Sequence, residues 1–302
     1  MAEGLPAVAL AAVPGRRRAT LDLAREIERR GFSGIYCASF GDGIGLCEAL
    51  AFATERIPFG TAIANMYTRH PSDFAQSAAF IHELAGGRFR FGVGVSHGPA
   101  HQRLGVSVGR PLDDMRRFVE QLRAEPRVGE LPPLVIAALR KRMVALAGEL
   151  GAGVVFANAA RSHMRESLSA LPPARRGDPA FFVGDMIPTC ISDDRAAALA
   201  TNRRTLSGYA MLPNYRNYWK EAGYVEEMEA VEKALASGQR ERVPELLSER
   251  WLADTTLFGT AREVRDGVLA WRAAGVSTPI LVPSSAAGNQ IKAFEELFAA
   301  FA

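Results

Sequence analysis

The chain has 302 residues, 48% of them hydrophobic and 23% charged, with 28 Gly, 17 Pro and a formal net charge of +3. That length fits two ordinary domains or one large barrel, and the composition excludes a disordered or collagen-like chain. So small a net charge gives no electrostatic ground for binding nucleic acid or a membrane surface.

Of the 36 basic residues only Lys141, Lys220, Lys233 and Lys292 are lysines. Arginine suits planar recognition of anions, although genome composition produces the same bias. Cys37, Cys47 and Cys190 are scattered without a CxxC pair, which fits a reducing compartment rather than a disulfide scaffold. Apolar stretches such as Val8–Val13 fall short of the about 20 residues a membrane span needs. No basic segment followed by a long apolar run opens the chain, so the expectation is a cytoplasmic protein without a signal peptide.

Short apolar, β-branched runs alternate with helical patterns. The strands expected are Ala7–Val13, Gly34–Cys37, Ile57–Ala64, Phe89–Val95, Leu134–Ala138, Val154–Ala157, Phe181–Ile191 and Pro279–Val282. Helices are expected at Thr20–Arg30, Cys47–Thr54, Ser72–Leu84, Leu112–Ala124, Lys141–Leu150, Ser162–Leu168, Asp193–Leu212 and Ala261–Ala274. Continuous apolar strands are buried on both faces, as in a parallel sheet covered by helices. Eight units at this length point to an α/β fold, a closed (β/α)8 TIM barrel. An open dinucleotide-binding sheet is disfavoured, because Pro14-Gly15-Arg16-Arg17-Arg18 after the first strand is no GxGxxG turn. The rhythm breaks at about 213–254, where Tyr215, Tyr218, Trp219, Tyr224 and Trp251 accompany two helical patterns. This inserted helical segment is either a wall over the barrel mouth or a packing or dimer layer.

In such a barrel the chemistry sits on the loops after the strands. Ser39 and Asp42 follow the second strand, and Asn65-Met66-Tyr67-Thr68-Arg69-His70 follows the third, with Pro71 opening the next helix. The fourth strand carries Gly92 and Gly94, spacing that lets a backbone or a flat ligand approach, and ends in Ser96-His97-Gly98. His97 and His101 are four apart, but Pro99 intervenes and no acid or Cys completes a metal set, so no metal is expected. The Asp113-Asp114 pair reads as a solvated helix face. GxSxG, Walker and calcium-loop motifs are absent, which leaves the difficult chemistry to a bound cofactor.

The stretches Gly60-Thr61-Ala62-Ile63-Ala64-Asn65-Met66-Tyr67-Thr68-Arg69-His70-Pro71 and Gly86-Gly87-Arg88-Phe89-Arg90-Phe91-Gly92-Val93-Gly94-Val95-Ser96-His97 resemble the luciferase-like monooxygenase superfamily. The "GT…RHP" and "GRF…GxGxSH" phrasing is most similar to its deazaflavin (F420)-dependent branch, and the likeness runs over roughly residues 5–285. It implies one luciferase-like barrel domain over 1–302 with the insertion at 213–254. It implies an oxidoreductase that moves a hydride between F420 and a small-molecule or peptide substrate, or alternatively an FMN-dependent monooxygenase using O₂, or a non-catalytic cofactor-binding barrel. It also implies a homodimer. The cofactor contacts would come from Ser39, Ala62, Ile63, Val95, Ser96, His97, Ala138 and Arg140, and the candidate catalytic residues are His70, His97 and Asp42. A non-proline cis peptide at or beside Ala62-Ile63 is expected to form a bulge behind the ring.

Overall fold

The computed structural model describes residues 4–38 and 41–302. Nine strands alternate with helices: β1 (Ala7–Leu10), β2 (Ile35–Cys37), β3 (Phe59–Asn65), β4 (Phe89–Gly94), β5 (Leu134–Ala137), β6 (Gly153–Ala157), β7 (Phe182–Ile191), β8 (Leu257–Gly259) and β9 (Thr278–Ser284). Their order is β6-β5-β4-β3-β2-β1-β9-β7-β8, and β6 also pairs with β7. Eight strands therefore close a (β/α)8 barrel, and β8 flanks β7. The registers of β1 through β6 are all parallel. Among the described residues, no helix is long and apolar enough to cross a membrane.

The chain groups into two compact units, one running to Val155 and including Ser169–Gly184, the other comprising Phe156–Leu168 and Asp185–Ala302. In the first unit the apolar strands are buried almost throughout, as continuous hydrophobic runs require. Phe59 and Phe89 meet at 5.7 Å, and Phe74 meets Phe91 at 5.4 Å and Phe118 at 5.8 Å. Glu28, in the helix Arg17–Arg29, accepts the backbone N–H groups of Glu55, Arg56 and Ile57, which pins the entry to β3. Burial works to raise that carboxyl's pKa, but the three amides hold it below the usual value. Cys37, at the end of β2, and Cys47, in the helix Gly43–Ala53, are both buried, with their sulfurs 3.6 Å apart.

The second unit is built around aromatics. Trp219 meets Trp251 edge-on at 4.7 Å, and both are fully buried with Tyr218. Helices Pro213–Glu221, Val225–Ala236 and Glu249–Thr255 form this stretch with shorter turns. Its breaks lie at Gly223-Tyr224 and Ser237-Gly238, where glycines at φ +95° and +74° take a conformation that L side chains resist. Asp254 accepts from Ser162 twice and from Tyr224, tying three segments together. Of the two readings left open for this stretch, packing accounts for Tyr218, Trp219, Trp251 and Tyr224.

Three elements depart from the sequence reading. The helix Gly98–Leu104 is absent from the pattern because Gly98-Pro99 opens it, and Pro at the first turn preorganises a helix that periodicity does not reveal. β8 is only three residues long, too short for any period to show. A last helix, Gln290–Ala300, buries Phe294, Leu297 and Phe298 behind an Asn289 N-cap.

Candidate functional site

Most of the mouth-side residues named from the sequence lie in the first unit, after β3, β4 and β5. Here β3 breaks register with β4 between Thr61 and Ala64. The glycines opposite explain why that bulge fits. A Cβ on Gly92 would lie 2.1 Å from the Thr61 carbonyl oxygen and 2.2 Å from that of Ala62. One on Gly94 would lie 2.8 Å from Ile63 Cγ2 and 2.9 Å from Ala137 Cβ. The strand's missing side chains thus admit the neighbouring strand at Gly92, and the Ile63 and Ala137 side chains at Gly94. The bulge is formed without the expected cis bond, since every peptide among the described residues is trans. An inserted residue in one strand suffices to bend it. Ala62 is buried, whereas Ile63, Ala64 and Asn65 are half-exposed toward the end of the strand.

Two expected site residues, His70 and Asp42, and the neighbouring His101 are engaged in local structure. His70 caps the helix Pro71–Leu84, its Nδ1 accepting the Ser72 amide at 3.2 Å. Asp42 caps Gly43–Ala53 through the Gly45 amide at 3.0 Å and pairs with Arg69 at 3.3 Å. His101 contacts the Val95 carbonyl oxygen at 2.7 Å through Nε2. Ser39 lies outside the described residues.

His97 behaves differently. It follows Ser96, a non-glycine residue held at φ +57°, and its Nδ1 is buried with no hydrogen-bond partner among the described residues. Burial, helped by the charges of His101 and Arg103, pulls its pKa below that of an ordinary imidazole, so the ring is neutral near pH 7. Strained backbone and an orphaned buried nitrogen are features a structure tolerates where a ligand is to be met.

After β5, Ala138 is buried and Arg140 is the exposed N-cap of Lys141–Leu150. Arg140, Lys141 and Arg142 place three cations at the positive end of a helix dipole with no acid in the first turn. A helix start of this charge suits an anion. The orphaned His97 nitrogen and this basic turn fit a phosphate-bearing cofactor.

Asp114, taken from the sequence as solvated, is buried. It accepts from Tyr67 Oη at 2.8 Å, the Gly109 amide at 2.8 Å and Arg117. Burial works to raise its pKa, yet these three donors hold it below the usual carboxylate value. Burial and the Asp114 charge push the Tyr67 hydroxyl well up. Tyr67 also meets the His101 ring edge-on at 5.1 Å. The network fixes the loops after β3 and β4 to one another. Only the apolar spacing of Met115, Phe118 and Leu122 around Asp114 hints at its burial.

The second unit holds a polar pair the sequence reading missed. Asp185, the fourth residue of β7, is fully buried, and neither oxygen has a hydrogen-bond partner among the described residues. Burial pushes its pKa up to about 7, opposed only weakly by the Ala159 backbone amide, which lies outside hydrogen-bond geometry. Asn158, at φ +56° after β6, is buried with an unpartnered Nδ2. A lone acid inside the apolar run Phe181–Ile191 is the signal that marks the place. Among the described residues no metal-binding cluster occurs.

The luciferase-like monooxygenase family profile matches residues 6–126 and 117–278. The chain is 26% identical over 316 residues to a Mycobacterium tuberculosis protein whose name provisionally assigns it to the coenzyme F420-dependent oxidoreductases. That alignment covers 88% of this chain and 90% of the relative. The fold superposes on the coenzyme F420-dependent tetrahydromethanopterin reductase of Methanopyrus kandleri with a TM-score of 0.78 at 18% identity, covering 98% of each chain. It superposes on an F420-dependent secondary alcohol dehydrogenase with a TM-score of 0.72 at 14% identity, again covering 98% of each. The chain belongs to the luciferase-like monooxygenase family.

Proposed function

We propose that the protein is an F420-dependent oxidoreductase that moves a hydride between the deazaflavin and an organic substrate. The observation that carries this reading is the buried Nδ1 of His97, without a hydrogen-bond partner among the described residues and beside left-handed Ser96, in a unit that also presents the basic turn Arg140–Arg142. The Mycobacterium tuberculosis relative supports the choice of cofactor. When bound, the deazaflavin supplies a two-electron hydride carrier that does not readily activate O₂. Val95, Ser96 and His97 would hold its polar side chain, Arg140 its anionic tail, and Ala62, Ile63 and Ala138 the apolar flank. His97, neutral near pH 7, can donate or accept one hydrogen bond at Nδ1. His70 keeps its Nε2 for proton exchange while Nδ1 holds the helix start, and Asp42 stays a candidate through the carboxylate shared with Arg69.

A second reading, an FMN-dependent monooxygenase, is favoured by the family profile itself. Titration of the purified protein with F420 and with FMN, followed by fluorescence quenching, separates the two. Saturable binding of F420 in preference to FMN is expected. Binding of FMN alone establishes the second reading, and binding of neither indicates a barrel without redox function. In either cofactor reading a small-molecule substrate and a homodimer are proposed.

A further inference from the structure

Every buried polar group ordinarily finds a partner, and the exceptions in a folded protein mark places where something else is to be bound. In the second unit two exceptions, Asp185 and Asn158, gather around one residue, since both act on the Tyr215 hydroxyl. Asn158 donates its backbone amide to the Met186 carbonyl oxygen at 3.1 Å, which pairs it with Ile187, two residues along β7 from Asp185. Asp185 leaves both oxygens without partners and Asn158 leaves its Nδ2 without one, although both side chains are at least nine-tenths buried. The Asn158 carboxamide lies against the Tyr209 and Tyr215 hydroxyls. No cation is among the groups that act on Asp185.

The surroundings are aromatic. Tyr209 meets Tyr215 at 5.1 Å, and Tyr215 meets Trp219 at 5.4 Å. Trp219 is sealed, whereas Tyr209 and Tyr215 keep part of their surface open. An acceptor pair, one N–H donor and an accessible aromatic edge therefore converge.

We propose that Asp185 and Asn158 form a binding site for a neutral hydroxyl group carried on a flat apolar frame, with the hydroxyl donating to Asp185 and accepting from Asn158 Nδ2, and Tyr209 and Tyr215 flanking the frame. A single hydroxyl satisfies both orphaned groups at once. A cation would need Asp185 ionised in a place where its charge has no other support, and a purely apolar ligand would leave both groups unsatisfied. The site stands apart from the cofactor reading, and a cofactor-free experiment tests it alone.

Benzyl alcohol, toluene and benzylamine are titrated into the cofactor-free protein while tryptophan fluorescence is followed. Benzyl alcohol is expected to bind about tenfold more tightly than toluene, the preference one satisfied polar pair confers. Asp185→Leu is expected to abolish that preference while the thermal midpoint holds or rises, because an orphaned acid is removed. Asp185→Asn, which keeps the shape and one acceptor, is expected to retain part of it. Equal affinity for toluene, tighter binding of benzylamine, or no saturable binding of benzyl alcohol overturns the proposal. So does an Asp185→Leu protein that melts earlier with the alcohol preference intact, which makes Asp185 a structural group.

Discussion

In the first unit Asp114 accepts from Tyr67, Gly109 and Arg117, while in the second Asp185, at least as deeply buried, has no hydrogen-bond partner among the described residues. The two carboxyls respond in opposite directions. Three donors stabilise the charge of Asp114 and hold its pKa down, whereas burial without donors drives that of Asp185 up to about 7. Burial alone therefore says little about what an acid is for. A satisfied acid ties loops together, and an unsatisfied one weakens the fold it sits in and keeps its bonding capacity for a ligand. Within the first unit the same contrast separates His70 and His101, each with a hydrogen-bond contact, from the orphaned His97.

The largest effect that would break this contrast is on the pH dependence of stability. Asp185 keeps its proton in the folded chain up to about pH 7, while the unfolded chain releases it near the ordinary value of 3.8. Its contribution is thus intact below about pH 4, falls as the pH rises to about 7, and is level above that, a loss on the order of 4 kcal/mol. Urea unfolding across that range should show the slope in wild type and not in Asp185→Leu, the difference cancelling every other titrating group. Next in size, Asp114→Ala should cost about 3 kcal/mol, because Arg117 and Tyr67 lose the acceptor that holds them. Gly92→Ala should cost roughly 2–3 kcal/mol by forcing β3 away from β4, read as a lowered urea midpoint together with weaker cofactor binding. His70→Ala should cost only about 1 kcal/mol, the value of a helix cap. A larger fall in turnover than in stability for that variant would move His70 from cap to catalytic partner. A sharper test of the basic turn is Arg140→Ala, which should weaken cofactor binding by about tenfold at unchanged melting temperature.

The barrel was legible because its strands are continuous apolar runs, and all eight expected ranges sit within three residues of the observed ends. What escaped was whatever period cannot encode: a seven-residue helix begun by Gly98-Pro99, a three-residue strand, and the partners of each polar side chain. Asp113 and Asp114 are neighbours of identical type, yet one faces solvent and the other three donors. Only the phase of the helix Pro111–Ala124 against its apolar face distinguishes them. For Gly92 and Gly94 the sequence indicated a close approach without saying by what, and the answer is strand β3 and the side chains beside it. Asp185 stood in plain view within an apolar strand, but no motif attaches a role to a solitary acid.

The touching sulfurs of Cys37 and Cys47 give the molecule an internal clock. Both are sealed from solvent, so an alkylating reagent reaches them only when the helix Gly43–Ala53 lifts from the barrel wall. The rate at which these thiols are modified therefore counts those openings. Because Gly43–Ala53 begins at Asp42, beside the loops that would receive a cofactor, slowed modification on adding one would time how firmly it closes this edge of the barrel.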